Sequence, residues 1–229
     1  MRLRALAVFA SLALGACAHD GIDSAAKADV DGKIAAIKVD EQTFPPSESY
    51  SPMAFVVGQW TQHKVVDAKG QPSLLTYKLT GQENGGYWVE IVDESYRGRV
   101  VTKIFVTLTS RDPAGMDIRS ARMKVGDAPP VDLEGAAGEE AAKKLYASLD
   151  LLAIAFEPQL KDDAKVPAGH FIGCYTTQTP GPWGPWRAPS EVCVHPAVPL
   201  SGIVRAKPVG GAGSIELVGF GMTGAGNEI

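Results

Sequence analysis

The feature that most constrains the fold is an alternation of short strand-forming runs and turn-forming residues, which begins at Met53. The runs are rich in valine, isoleucine, threonine and aromatic residues, and glycine or proline clusters interrupt them at intervals of about ten residues. This pattern is typical of the strands of an all-β domain. We therefore predict strands near residues 54–66, 73–80, 87–93, 100–109, 117–125, 170–177, 191–195, 202–207 and 214–220.

The connections between these runs predict how the strands pair. Gly70 lies in the connection "VVDAKGQP", where a hairpin loop of three to five residues needs a left-handed residue. The segments "QENGG" at 82–86 and "VGGAG" at 209–213 are also typical of hairpin tips. Because sequential hairpins give antiparallel pairs, we expect a mainly β fold with an antiparallel curved sheet or half-barrel.

One segment breaks the strand pattern. Residues 138–156, "GEEAAKKLYASLDLLAIAF", place two glutamates four residues before two lysines, which is a helical spacing. Leu145, Leu149, Leu152 and Phe156 fall on one apolar stripe. We expect one helix over about 138–156 that packs against the sheet.

The first 16 residues, "MRLRALAVFASLALGA", carry two arginines and then a short apolar run. The run is shorter than the roughly 20 residues that a membrane-spanning helix needs, and the pattern is typical of a secretory signal peptide. Its end, Leu14 to Cys17, resembles the lipobox of bacterial lipoproteins. That resemblance implies that Cys17 is acylated and becomes the N-terminus of the mature chain. The alternative is an ordinary cleaved signal that contains a cysteine.

Acylation would tether the protein to a membrane, because each buried methylene contributes about 0.8 kcal/mol and several chains together anchor it permanently. Ala18, rather than an aspartate, follows Cys17. This is similar to lipoproteins that double-membraned bacteria sort to the outer membrane, so we expect a periplasm-facing anchor there. In a host with one membrane, the anchor would lie in the cell membrane.

Residues 17–52 read as the acylated tether and linker, since they are small and charged and contain no aromatic residue before Phe44. The composition allows one or two weak helical turns around Lys33 to Ile37. If flexible, a linker of this length would span about 33 Å on average. Residues 53–229 then form a single β-rich domain.

Charge and motifs exclude several classes of function. The formal net charge is −4 and becomes more negative once Arg2 and Arg4 are removed with the signal, so we expect no nucleic-acid partner. The sequence contains no G-x-S-x-G, no phosphate-binding glycine loop followed by lysine and no H-E-x-x-H. No nucleophile, base and orienting group can be assembled from neighbouring motifs. We expect a non-enzymatic protein without a cofactor.

Aromatic residues share strand faces with polar ones. In "VVTKIFVTL", Ile104 and Val106 alternate with Lys103 and Phe105, so one face is apolar and the other is mixed. Such a mixed aromatic face could form the wall of a cavity for an apolar ligand. The candidate ligand-binding residues are Trp60, Trp88 and Phe105. The alternative is that these three side chains lie under the helix or the linker.

The order of signal, lipobox, linker and a long antiparallel sheet interrupted by a helix resembles the LolA/LolB-like class, the carrier and receptor half-barrels of outer-membrane lipoprotein sorting. The stretches "FVVGQWTQHKVVDAKG", "YWVEIVDES", "VCVHPAVPLSGIV" and "IELVGFG" carry this likeness, which covers most of residues 54–221. It implies a half-barrel with an apolar cavity for acyl chains. It assigns no individual ligand-contacting residue.

Cys174 and Cys193 remain as an even pair once Cys17 carries lipid, and a disulfide between them is the leading interpretation in an oxidising compartment. It would close a loop of about 20 residues and stabilise the fold by roughly 3 kcal/mol. The alternative is a tetrahedral zinc or copper(I) site on paired strands. Its ligands would be His170, Cys174, Cys193 and His195.

The loop between the two cysteines, residues 175–192, is rich in proline and contains Trp183 and Trp186. A second interpretation of the function follows from this loop. The protein would then be an envelope scaffold or interaction module whose two tryptophans dock a protein partner.

Overall fold

The computed structural model describes residues 21–108, 116–134, 160–179, 186 and 188–229. These residues form one helix and a single open curved sheet of 12 strands, so the predicted mainly β, curved antiparallel fold is confirmed. The predicted signal peptide, Cys17, the predicted helix at 138–156 and Trp183 lie outside the described residues.

The helix is α1 (Ser24–Ala35). The strands are β1 (Thr43–Phe44), β2 (Trp60–Val66), β3 (Pro72–Glu83), β4 (Gly86–Ser95), β5 (Gly98–Leu108), β6 (Met116–Val125), β7 (Val131–Asp132), β8 (Leu160–Val166), β9 (Gly169–Gln178), β10 (Ser190–Val194), β11 (Ile203–Pro208) and β12 (Ser214–Gly221). The sheet order is β1-β9-β10-β11-β12-β2-β3-β4-β5-β6-β7, with β8 paired to β9. Each pair is antiparallel except β1 with β9.

The hairpin turns lie where the sequence predicts them. Gly70 has a φ of 78°, and Asn84 and Gly85 have φ values of 47° and 76°, which suit a two-residue hairpin loop. The first predicted strand is wrong over 54–59, because the buried Gln59 side chain folds this segment back. Its amide accepts the Val56 N–H at 3.1 Å and donates to a backbone carbonyl oxygen at 3.0 Å.

The main core joins β2–β5 to β9–β12. Leu79, Ile104, Ile203 and Ile215 are among its fully buried side chains. Val106 belongs to the same cluster, so the predicted apolar face of β5 is confirmed.

A second core surrounds the disulfide between Cys174 and Cys193, which joins β9 to β10 with its Cα atoms 5.8 Å apart. The predicted disulfide is therefore confirmed. Both cysteines are fully buried and pack with Phe171, Val204 and Leu217.

Residues 21–50 contact the sheet, whereas composition predicts a linker here. Asp23 caps α1 by accepting the N–H groups of Ala25 and Ala26, and Val30 is 1% exposed. The Tyr96 hydroxyl donates to Asp31 at 2.6 Å. Polar side chains make most of these contacts, so a search of the sequence for apolar periodicity does not detect them. In the part of the chain that the structure describes, no helix is long and apolar enough to cross a membrane.

Candidate ligand-binding groove

A groove of about 560 Å³ lies between residues 38–44 and the C-terminal end of β12. One side carries charged and polar residues, and the sheet side is largely apolar. The lining residues are Lys38, Val39, Asp40, Glu41, Gln42, Phe44, Trp60, Pro167, Ala168, Val218, Gly219 and Phe220. The volume falls within the range of small-molecule sites, roughly 300–1,000 Å³.

Residues 38–44 form the roof of the groove, and backbone hydrogen bonds hold it. The Asp40 N–H donates to the Pro167 carbonyl oxygen at 2.7 Å, and the His170 N–H donates to that of Gln42 at 2.9 Å. Phe44 in β1 stacks on Phe171 with ring centroids 4.5 Å apart. These backbone hydrogen bonds and the aromatic stacking hold the roof to the sheet.

Trp60 forms the floor of the groove. It is the first residue of β2 and pairs with Gly221 of β12 on one side and Lys78 of β3 on the other. Its indole lies against Gly219 and Gly221, where a Cβ at Gly221 would clash with the indole nitrogen. That nitrogen donates to the Thr223 carbonyl oxygen at 3.2 Å. The two glycines thus let the ring lie flat on the sheet.

Trp88 and Phe105 lie elsewhere on the sheet and do not line the groove. Their rings are 5.0 Å apart, and the Trp88 indole N–H donates to Glu83 at 2.9 Å. The Lys103 ammonium lies 5.4 Å from the centroid of the Trp88 ring. All three predicted aromatic side chains are half-buried, but the structure does not bring them into one site.

Sequence reasoning missed the roof and the β12 residues of the groove. Phe44 is the first aromatic residue after the signal region, which was the one available sign that this segment packs on the domain. Phe220 follows the irregular pairing between Leu217 and Gly219, so simple alternation along β12 does not predict its direction.

The four residues of the metal alternative have other partners or separate positions. The sulfur atoms of Cys174 and Cys193 bond to each other and are not thiolate ligands. His195 donates from Nε2 to the Pro45 carbonyl oxygen at 3.1 Å and accepts the Ala197 N–H at Nδ1, at 3.2 Å. Burial lowers the pKa of His195, so the neutral ring is favoured. Among the described residues, no group of three or more histidine, cysteine or acidic side chains could hold a metal ion.

Trp186, in the loop between the cysteines, points toward the domain. Its indole N–H donates to the Val66 carbonyl oxygen at 3.2 Å, and the ring packs against the main core. The domain engages both the indole N–H and the ring of Trp186, which does not favour Trp186 as a docking residue for a partner.

No family model, no curated protein and no solved structure matches the chain. The resemblance to the LolA/LolB-like class stays a prediction.

Proposed function

We propose that the protein is a lipid-anchored cell-envelope lipoprotein that binds an apolar molecule, such as an acyl chain, in the groove over Trp60. The lipobox-like end of the signal region supports the anchor, and the groove supports the binding activity. The observation that carries the proposal is a groove whose roof is held to the sheet by backbone hydrogen bonds and whose floor is an indole ring.

The two sides of the groove favour a ligand with an apolar body and a polar end. Trp60 and Phe220 on the sheet side and Phe44 at the end of the roof offer aromatic surface, whereas Lys38 and Glu41 place charges on the roof. An acyl chain that packs against the aromatic side would bury apolar surface, which favours binding by about 25 cal/mol per Å² of buried area. Its polar end would remain at the charged side.

The test measures binding of 11-(dansylamino)undecanoic acid by fluorescence titration. We expect Trp60→Ala to weaken binding about tenfold, because the variant removes most of the apolar floor. Val39→Asp places a charge on an exposed roof residue and should weaken binding to a similar degree without disturbing the core.

Trp88→Ala is the matched control, because Trp88 is also half-buried on the sheet but lies outside the groove. This variant should bind the probe within about twofold of the unaltered chain. Circular dichroism checks that each variant is folded. Equal affinity of the Trp60→Ala, Val39→Asp and unaltered chains would contradict the proposal.

A further inference from the structure

A row of charged side chains crosses the outer face of β3, β4 and β5. Lys78 pairs with Glu90, and Glu90 pairs with Lys103, so these three residues share one face. They alternate along their strands with main-core residues and therefore lie opposite the core. Arg99 precedes Lys103 by four residues on the same face of β5. We call Lys78, Glu90, Arg99 and Lys103 the charged slot.

Glu90 lies at the centre of the charged slot with 0% of its surface exposed. A buried carboxylate is costly unless positive charge and hydrogen-bond donors surround it. Lys78 lies 3.3 Å away and supplies the positive charge. The remaining donors come from a peptide segment that lies over the slot.

That segment is the end of residues 222–229, which we call the tail. The N–H groups of Glu228 and Ile229 donate to one oxygen of Glu90 at 2.9 and 3.4 Å. The Glu228 carboxylate forms ion pairs with Lys78 and Arg99. Lys103 donates to the Asn227 side chain at 2.6 Å and to the main-chain oxygen of Ile229 at 2.8 Å. The slot thus binds backbone N–H groups, a main-chain oxygen and an acidic side chain of an extended peptide.

The tail carries two glycines before its contacts with the charged slot, and the Ala225 N–H between them donates to the Gly58 carbonyl oxygen at 2.9 Å. Gly224 has a φ of 93°, and a Cβ at Gly224 or Gly226 would meet nothing within 4 Å. The contacts with the charged slot come from the three residues after Gly226. Because the contacts of Thr223 and Ala225 keep residues 227–229 near the slot at an effective concentration of order mM, a competing peptide must displace these three residues.

We propose that the charged slot is an interaction surface for an extended acidic segment of another protein, and that the tail occupies it until such a segment displaces it. The partner segment carries an aspartate or glutamate for Lys78 and Arg99. The N–H groups of this residue and the next bind Glu90, as those of Glu228 and Ile229 do. The charged slot adjoins the groove, because Trp60 pairs with Lys78 and donates to Thr223 of the tail, but its proposed partner contacts Lys78, Glu90 and Arg99 and not the groove lining.

The experiment uses the full chain and a fluorescein-labelled peptide of the tail sequence, acetylated or labelled at one end and amidated at the other. Fluorescence anisotropy measures its binding. The unaltered chain should bind weakly, because its own tail competes. The Glu228→Lys chain repels its tail from Lys78 and Arg99, and we expect it to bind the peptide at least about tenfold more tightly. Glu228→Gln removes the charge of this side chain without reversing it, so it should weaken the contacts of the tail with the slot to a smaller degree.

Two matched controls separate recognition from non-specific binding. A peptide with glutamine in place of the glutamate should bind the Glu228→Lys chain at least about fivefold more weakly. Adding Arg99→Gln to that chain should weaken binding of the original peptide to a similar degree, since Arg99 lies at the partly exposed rim of the slot.

Three results would overturn the proposal. The first is equal affinity of the unaltered and both Glu228 variant chains for the peptide, or no binding by any of them while circular dichroism shows that they are folded. The second is equal binding of the glutamate and glutamine peptides. The third is a dimer in analytical ultracentrifugation that forms only with Glu228 intact, which would assign the slot to a second copy of the chain.

Discussion

His63 and Asp93 are two titratable residues on the core face of the sheet, and burial shifts their pKa values in opposite directions. Both pair with Leu75, which lies between them on β3. His63 lies 3.1 Å from the Ile203 carbonyl oxygen through Nε2, whereas its Nδ1 has no hydrogen-bond partner among the described residues. Burial lowers the pKa of His63 to about 4 and raises the pKa of Asp93 to about 6.

The two shifts have opposite effects on the pH dependence of stability. In the unfolded chain His63 titrates near pH 6.5, so the buried neutral ring costs the folded state nothing in stability above that pH. As the pH falls toward 4, the free energy of unfolding decreases by about 3 kcal/mol, because the unfolded chain binds a proton that the folded chain does not. Asp93 titrates near pH 3.9 when unfolded, so the folded state is favoured below that pH and loses stability as pH rises toward 6. The two contributions partly cancel between pH 4 and 6, and the lowered pKa of His195 adds to the loss in acid.

We predict that single substitutions reveal the two contributions separately. Asp93→Asn should raise the free energy of unfolding above pH 6 by about 1–2 kcal/mol, since the carboxylate is partly exposed, and should leave a steeper loss in acid. His63→Leu removes the hydrogen bond to Ile203 and lowers stability overall. Its stability should nevertheless fall less on acidification than that of the unaltered chain.

Urea unfolding followed by circular dichroism between pH 4 and 7 measures these slopes. Asp127→Asn is the control, because Asp127 is exposed in the turn after β6. Its profile should be parallel to that of the unaltered chain. The same parallel profile for Asp93→Asn and His63→Leu would contradict the assignment of the two shifts.

At the scale of elements, α1 depends on its contacts with the sheet. A helix of 12 residues is marginal in water, and Val30 is the one residue of α1 that is buried. The Tyr96 hydroxyl bonds to Asp31, and the Lys33 ammonium lies 2.7 Å from Glu94, so polar contacts complete the interface. Exposed ion pairs contribute little, about 0–1 kcal/mol each, which leaves Val30 as the main apolar contact.

We therefore predict that Val30→Ala loosens α1 without unfolding the sheet. Removing two buried methyl groups should cost about 1–2 kcal/mol, which corresponds to roughly tenfold faster amide exchange across residues 24–35. Hydrogen exchange followed by mass spectrometry measures this rate. Val39→Ala is the control, because Val39 is 62% exposed, and it should leave exchange in α1 unchanged. Equal exchange of α1 in Val30→Ala and the unaltered chain would show that other contacts hold the helix.

The elements also show how far local sequence patterns reach. Strands with clear alternation, such as β3, β4 and β5, were predicted within a few residues, because one face of each is buried in the core. β8, "LKDDAKV", was missed because it is an edge strand whose charged residues face water and give no apolar pattern. β1 and β7 have two residues each, too few to produce any pattern.

Contacts between distant segments account for the rest of what the sequence did not predict. Trp60 was identified from its mixed face, but the groove also needs residues 38–44 and 218–220, which lie far from it along the chain. The charged slot likewise joins Glu90 to residues 228 and 229. Local periodicity specifies which way a side chain faces on its own strand, and it contains no information about which distant segment covers that face.

At the scale of the whole molecule, the contacts of α1 determine how closely a lipid anchor would hold the domain. The Asp23 N–H donates to the Tyr96 carbonyl oxygen at 2.9 Å, so the start of α1 is attached to the turn between β4 and β5. Only residues 17–22 then separate an acylated Cys17 from the folded domain. Six residues span at most about 21 Å, compared with the mean of about 33 Å expected for a flexible linker through residue 52.

We predict that the acylated protein on a supported bilayer forms a layer that begins within about 20 Å of the lipid headgroups, because the folded contacts of α1 leave no longer tether. Neutron reflectometry measures this separation. Cys17→Ser, which removes the proposed acylation site, should abolish adsorption and provides the control for the anchor itself. A water-filled gap wider than about 30 Å under the acylated chain would mean that α1 leaves the sheet at the membrane, because only a released linker can span that distance. Adsorption of Cys17→Ser equal to that of the unaltered chain would instead contradict the lipid anchor, so the two parts of the prediction fail separately.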